Sequence, residues 1–98
     1  MKVVIRPAAE RDLVEAASWY EDERRGLGER FLREVRLSLG IIGELPRAYA
    51  ILRRTKRLRR CRVVGFPYSI YFWIEGGMVV VVAVLHGARH PRTSRSRR

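Results

Sequence analysis

Four side chains in the second half of this sequence have the chemistry for cutting a phosphodiester without a metal: Lys56, Arg60, Arg62 and His86. Metal-free RNA cleavage needs a base for the 2′-hydroxyl. It also needs cations for the charge that develops on phosphate oxygens, and an acid for the leaving 5′-oxygen. Arg60 and Arg62 share one side of a strand, because strand side chains repeat every two residues. His86, at the end of an apolar run, can act as the acid. The base is the weak part: Lys56 serves only if held neutral, and no carboxylate is obvious. Plainer readings stand beside these, with His86 a hydrogen-bonded strand-end histidine and the arginines a solvated face.

The same region reads equally well as a binding surface. Residues 1–45 carry eight basic and nine acidic side chains, whereas residues 46–98 carry thirteen basic ones against Glu75 alone. Seven of the ten residues in RRTKRLRRCR, 53–62, are basic. Such density repels itself until a polyanion or acidic partner neutralises it. The candidate contacts to a target or nucleic acid are Arg53, Arg54, Arg57, Arg59, Arg60, Arg62, Arg89 and Arg92.

Other chemistry is poorly provided for. His86 and His90 lack a nearby carboxylate, and Cys61 is the only cysteine, so no metal site and no disulfide is expected. No Gly-rich phosphate loop occurs, and no cofactor is expected. The longest apolar run, Met78 to Leu85, is far short of the roughly 20 residues that span a bilayer. A cytoplasmic protein without a membrane partner is the expectation.

The elements that would position these groups follow from periodicity. At 98 residues the chain is one domain, and with 47% hydrophobic residues it can bury a core. Lys2 to Arg6 reads as a short strand. Pro7 suits the first turn of a helix whose apolar positions are Ala9, Leu13, Ala16, Ala17 and Tyr20. Glu10, Asp12 and Glu15 favour its start through the helix dipole. Gly26 and Gly28 break it. A second helix carries Phe31, Leu32, Val35, Leu39, Ile42 and Leu45 as its stripe, with Gly40 and Gly43 available for close packing. Pro46 ends it. Leu58 to Val64 is a basic strand, Gly65-Phe66-Pro67 a turn, and Tyr68 to Ile74 an aromatic strand. Glu75-Gly76-Gly77 signals a hairpin, and Met78 to Leu85 reads as a central strand. The expected fold is α+β: an antiparallel β-sheet with an N-terminal helical hairpin packed on one face, in the order β-α-α-β-β-β. Residues 1–91 form the domain, and residues 92–98 a basic tail without fixed structure of its own.

This order of elements resembles the RelE/ParE superfamily of bacterial type II toxin–antitoxin toxins. The likeness is carried by Ala9, Asp12-Leu13 and Trp19-Tyr20 in the first helix, and by Phe31, Ile42 and Glu44-Leu45-Pro46 in the second. The run Arg60 to Tyr71, RCRVVGFPYSIY, looks like the family's Arg-rich strand and Phe-Pro-Tyr turn. VVAVLH, 81–86, followed by Gly87, Arg89 and Pro91, looks like its last strand. The resemblance implies a cognate antitoxin with an extended, often acidic segment, and a hetero-oligomer with it. It leaves two activities open. ParE-like members, associated with plasmid stabilisation, inhibit DNA gyrase without a recognisable nuclease site. RelE-like members cleave mRNA on the ribosome, and Lys56, Arg60, Arg62, His86 and Arg89 would then be the catalytic candidates. An inactive nucleic-acid-binding member is a third reading. The helical hairpin and Phe-Pro-Tyr strand are closer to ParE.

Overall fold

Pro7 sets the start of the first helix. Arg6 is extended, at φ −72° and ψ 154°, and the proline occupies a first-turn position, where a missing N–H costs nothing. Helix α1 then runs Pro7–Glu23. It buries Ala9, Asp12, Ala16 and Tyr20, with Leu13 and Ala17 packed beside them. Gly26 turns the chain at φ 87°, and α2 runs Leu27–Glu44 against α1. The Glu21 carboxylate accepts the amides of Gly26 at 2.9 Å and Gly28 at 3.1 Å. A carboxylate from α1 thereby caps the free N–H groups and positive end of α2.

Three expectations for the hairpin need correction. Gly28 does not end α1 but lies within α2, where an added Cβ would stand 2.4 Å from the Ala17 carbonyl oxygen. There the backbone of α2 lies close against that of α1. A Cβ added at Gly43 would stand 3.2 Å from Met1 and Val3, as close packing requires, whereas one at Gly40 would face open space. Leu45 leaves the stripe to cap α2 and is 63% exposed.

The computed structural model describes residues 1–87. A 3₁₀ turn at Pro46–Ala48 leads from α2 toward the sheet. The strands are β1 (Lys2–Ile5), β2 (Arg59–Arg62), β3 (Tyr68–Glu75) and β4 (Met78–His86), in spatial order β1-β4-β3-β2. β2, β3 and β4 pair antiparallel, while β1 runs parallel to β4. The sheet is therefore mixed, where sequence alone suggests an antiparallel one. A strand beside β4 but joined to it only through the rest of the chain is not bound by hairpin geometry. Gly76 and Gly77, at φ 58° and 76°, make the β3–β4 hairpin turn, the pair of left-handed positions that a two-residue turn demands.

β4 is central and has an irregularity with large consequences. Tyr71 pairs with Ala83 but Phe72 pairs with Val81, so Val82 is an extra residue. A bulge of this kind reverses the alternation of side chains. Val79, Val81 and Val84 face the helices with Ile70 and Phe72, whereas Ala83 and Leu85 join Tyr71 on the other face. Leu52 and Leu58, from the segment before β2, cover that second cluster. Tyr20, Phe31, Phe66 and Tyr68 stack edge to face at 4.9–6.0 Å apart, apart from the tilted Tyr20–Phe31 pair at 5.4 Å. They lock the Gly65-Phe66-Pro67 turn onto the helical hairpin.

Candidate functional site

The basic segment divides into two parts with different roles. Residues 52–58 form a closed loop. Leu52 N–H donates to Leu58 O at 2.7 Å, and Thr55 N–H to Leu52 O at 3.2 Å. The Thr55 hydroxyl donates to Leu52 O at 2.8 Å and accepts from Leu58 N–H at 3.3 Å. Leu52 and Leu58 anchor this loop on the sheet while Arg53, Arg54, Lys56 and Arg57 remain exposed.

β2 follows, and its alternation sorts the remaining arginines. Cys61 and Val63 belong to the helix-facing core. Arg59, on that same side, donates to the Tyr49 carbonyl at 2.5 Å. Arg60 and Arg62 pair with Tyr71 and Ser69 and so lie on the open face, as cross-strand partners do. A cleft of about 410 Å³ opens beside them, lined also by Val63, Phe66, Pro67, Tyr68, Ser69 and Gly87. No carboxylate of the described residues lines it.

His86 lies elsewhere. It pairs with Tyr68 and stacks on its ring, with centroids 5.3 Å apart at 88°. Because Val82 bulges, this end of β4 turns His86 to the helix side. There it lines a second cleft of about 440 Å³, with Arg11, Asp12, Glu15 and Trp19 of α1. The two clefts share Tyr68, but Arg60 and Arg62 are on one face of the sheet and His86 on the other. Lys56 is in the loop on the open-face side. Arg89 and Arg92, like the tail 92–98, lie outside the described residues. Among the described residues no three potential ligands gather to hold a metal. No helix there is long and apolar enough to cross a membrane.

Two residues of the basic segment are already engaged, which their types do not reveal. The Arg57 guanidinium lies 3.8 Å from the centre of the Trp73 ring and 3.8 Å from Glu75. Trp73 in turn donates its indole N–H to Glu75 at 2.9 Å, and Arg6 lies 5.2 Å from the same ring. Trp73 and Glu75 are two apart on β3 and so share a face, which was the available sequence signal. Burial, then a hydrogen bond with the Cys61 thiol and the nearby Cys61 charge, push the Tyr49 hydroxyl up to about 12. That pair is structural, holding the segment before β2 on the core.

Residues 3–91 match the family described as the ParE toxin of the type II toxin–antitoxin system parDE. Among solved structures, a chain of the chromosomal ParDE toxin–antitoxin system from P. aeruginosa superposes with a TM-score of 0.68 at 15% sequence identity. The match covers 89% of this chain and 96% of that one. At that identity the likeness speaks for the fold. No curated protein matches the chain.

Proposed function

The chain belongs to the ParE toxin family of type II toxin–antitoxin systems, and from that premise we propose that it inhibits DNA gyrase by binding. A cognate antitoxin is its partner and holds it in check. The observation that carries the binding reading is the separation of the groups that would cut RNA. Arg60 and Arg62 stand on the open sheet face with no carboxylate of the described residues in their cleft. His86 turns to the helix side with Tyr68. General acid–base cleavage needs acid, base and phosphate-binding cations around one reacting centre. Inhibition by binding needs only a complementary surface, and the concentrated positive charge of residues 53–62 supplies one. The same charge favours an acidic antitoxin segment.

The test pairs two assays on the purified toxin. Gyrase supercoiling should fall with added toxin and recover with antitoxin, while mRNA on ribosomes stays intact. Cleaved mRNA with supercoiling untouched would sink the gyrase reading. In that event His86→Gln and Arg62→Ala should each relieve growth inhibition.

A further inference from the structure

Within one arginine-rich segment, the structure separates cations that hold the fold from cations that do not. Arg57 is committed to Trp73 and Glu75, and Arg59 to the Tyr49 carbonyl. Arg53, Arg54, Lys56, Arg60 and Arg62 have no such partner among the described residues. We propose that these five form a docking surface for the phosphate backbone of duplex DNA, which the toxin binds by itself and without sequence preference.

Three features support the assignment. The first is spacing. Arg60 and Arg62 point to the same face about 6.6 Å apart along the strand, close to the step between successive phosphates of one nucleic-acid strand. The second is order. Thr55 closes the loop with side-chain and backbone hydrogen bonds, so the charges of Arg53, Arg54 and Lys56 are held on a fixed frame. Arg54 has φ 66°, a left-handed conformation that glycine adopts most cheaply. An arginine there strains the backbone and adds a charge.

The third feature selects duplex over single strand. Single-stranded RNA and DNA are gripped by stacking bases on open aromatic rings. On this face Tyr71 is fully buried, and Trp73 is covered by Arg57. Phe66 and Tyr68, which line the cleft beside Arg60 and Arg62, are packed edge to face with Tyr20 and Phe31 on the helix side, and Trp19 lines the helix-side cleft with His86. The open face thus offers cations whose neighbouring rings are already engaged within the fold, which suits duplex backbone contacts and reads no bases.

This inference goes beyond gyrase inhibition, and its experiment contains no gyrase, so either can fail alone. Full-length toxin is titrated into labelled ~20-bp duplexes of two unrelated sequences and into single-stranded RNA of equal length, between about 50 and 200 mM salt. Expected are similar affinities for both duplexes, weaker binding to RNA, and a log–log salt slope on the order of −4, from roughly five neutralised phosphates. The double variant Arg60→Ala/Arg62→Ala should flatten the slope by about 2. Arg33→Ala/Arg36→Ala, exposed on α2, should leave it unchanged, with circular dichroism confirming that each variant is folded. Tighter binding to RNA, or a strong preference for one duplex, would overturn the proposal. So would a wild-type slope in the Arg60/Arg62 variant, or equal losses in both variants.

Discussion

Asp12 shows how a single residue can be read correctly in type and wrongly in role. Its position early in α1 suggests a carboxylate favoured by the helix dipole. In the fold it is 9% exposed and accepts the Val84 amide at 2.8 Å across 72 residues of chain. The need for it is set by the sheet. β1 ends at Ile5, opposite Val81, so beyond that point one edge of β4 has no neighbouring strand among the described residues. Asp12 stands in for the missing partner. The clue was present, since Asp12 falls between Ala9 and Ala16 on the buried side of α1. What hid it was that the receiving amide exists only once the sheet has formed. Asp12→Ala should lower stability by about 1–3 kcal/mol, the cost of leaving a buried donor unpaired. Asp12→Asn, which keeps an acceptor oxygen, should lose less. Urea unfolding of the two variants checks this, and equal stability of Asp12→Ala and wild type would remove the role assigned to Asp12.

The elements were readable wherever a local pattern decides them. Pro7 starts α1, Gly76-Gly77 turns the hairpin, and the aromatic alternation from Tyr68 to Ile74 marks β3, because each depends on neighbours in sequence. Features that depend on distant partners were not readable. The parallel pairing of β1 needs β4, and the bulge at Val82 needs the register of β3. That bulge moved His86 to the opposite face from Arg60 and Arg62, so a plausible catalytic set on paper is divided in space. The glycines of α2 make the same point. Nothing local distinguishes Gly28 from Gly40, yet a Cβ at Gly28 runs into the Ala17 carbonyl while one at Gly40 meets nothing. Gly28→Ala should destabilise the protein by about 1–3 kcal/mol through overpacking between backbones. Gly40→Ala should stabilise it by up to about 1 kcal/mol through helix propensity. Thermal melting should thus move in opposite directions for the same chemical change. If both variants melt alike, the close approach at Gly28 is not what holds the hairpin.

At the scale of the molecule, the charge asymmetry was fully visible in the sequence, and the structure adds where it is spent. All but two of the 21 basic residues are arginine, and arginine keeps its proton above pH 12. The protein therefore stays cationic through the alkaline range, and alkaline unfolding cannot come from loss of that charge. Acids that the fold keeps from ionising make a contribution of their own. Tyr49 is one, pushed up to about 12 by burial first, then by its hydrogen bond to Cys61 and the Cys61 charge. Tyr20 is raised as well, by burial and then by the charge of Tyr68. In the unfolded chain both hydroxyls ionise near pH 10. Below that value both states hold their protons and these tyrosines add no pH dependence. Between about 10 and 12 the unfolded chain loses protons that the folded protein retains, so unfolding gains and stability falls as pH rises. Tyr49→Phe keeps the ring packed on Phe72 and the carbonyl that receives Arg59, but it has no proton to lose. Urea midpoints measured from about pH 9 to 11.5 should fall with a shallower slope in that variant than in wild type. Parallel slopes would mean that Tyr49 ionises as freely in the fold as outside it.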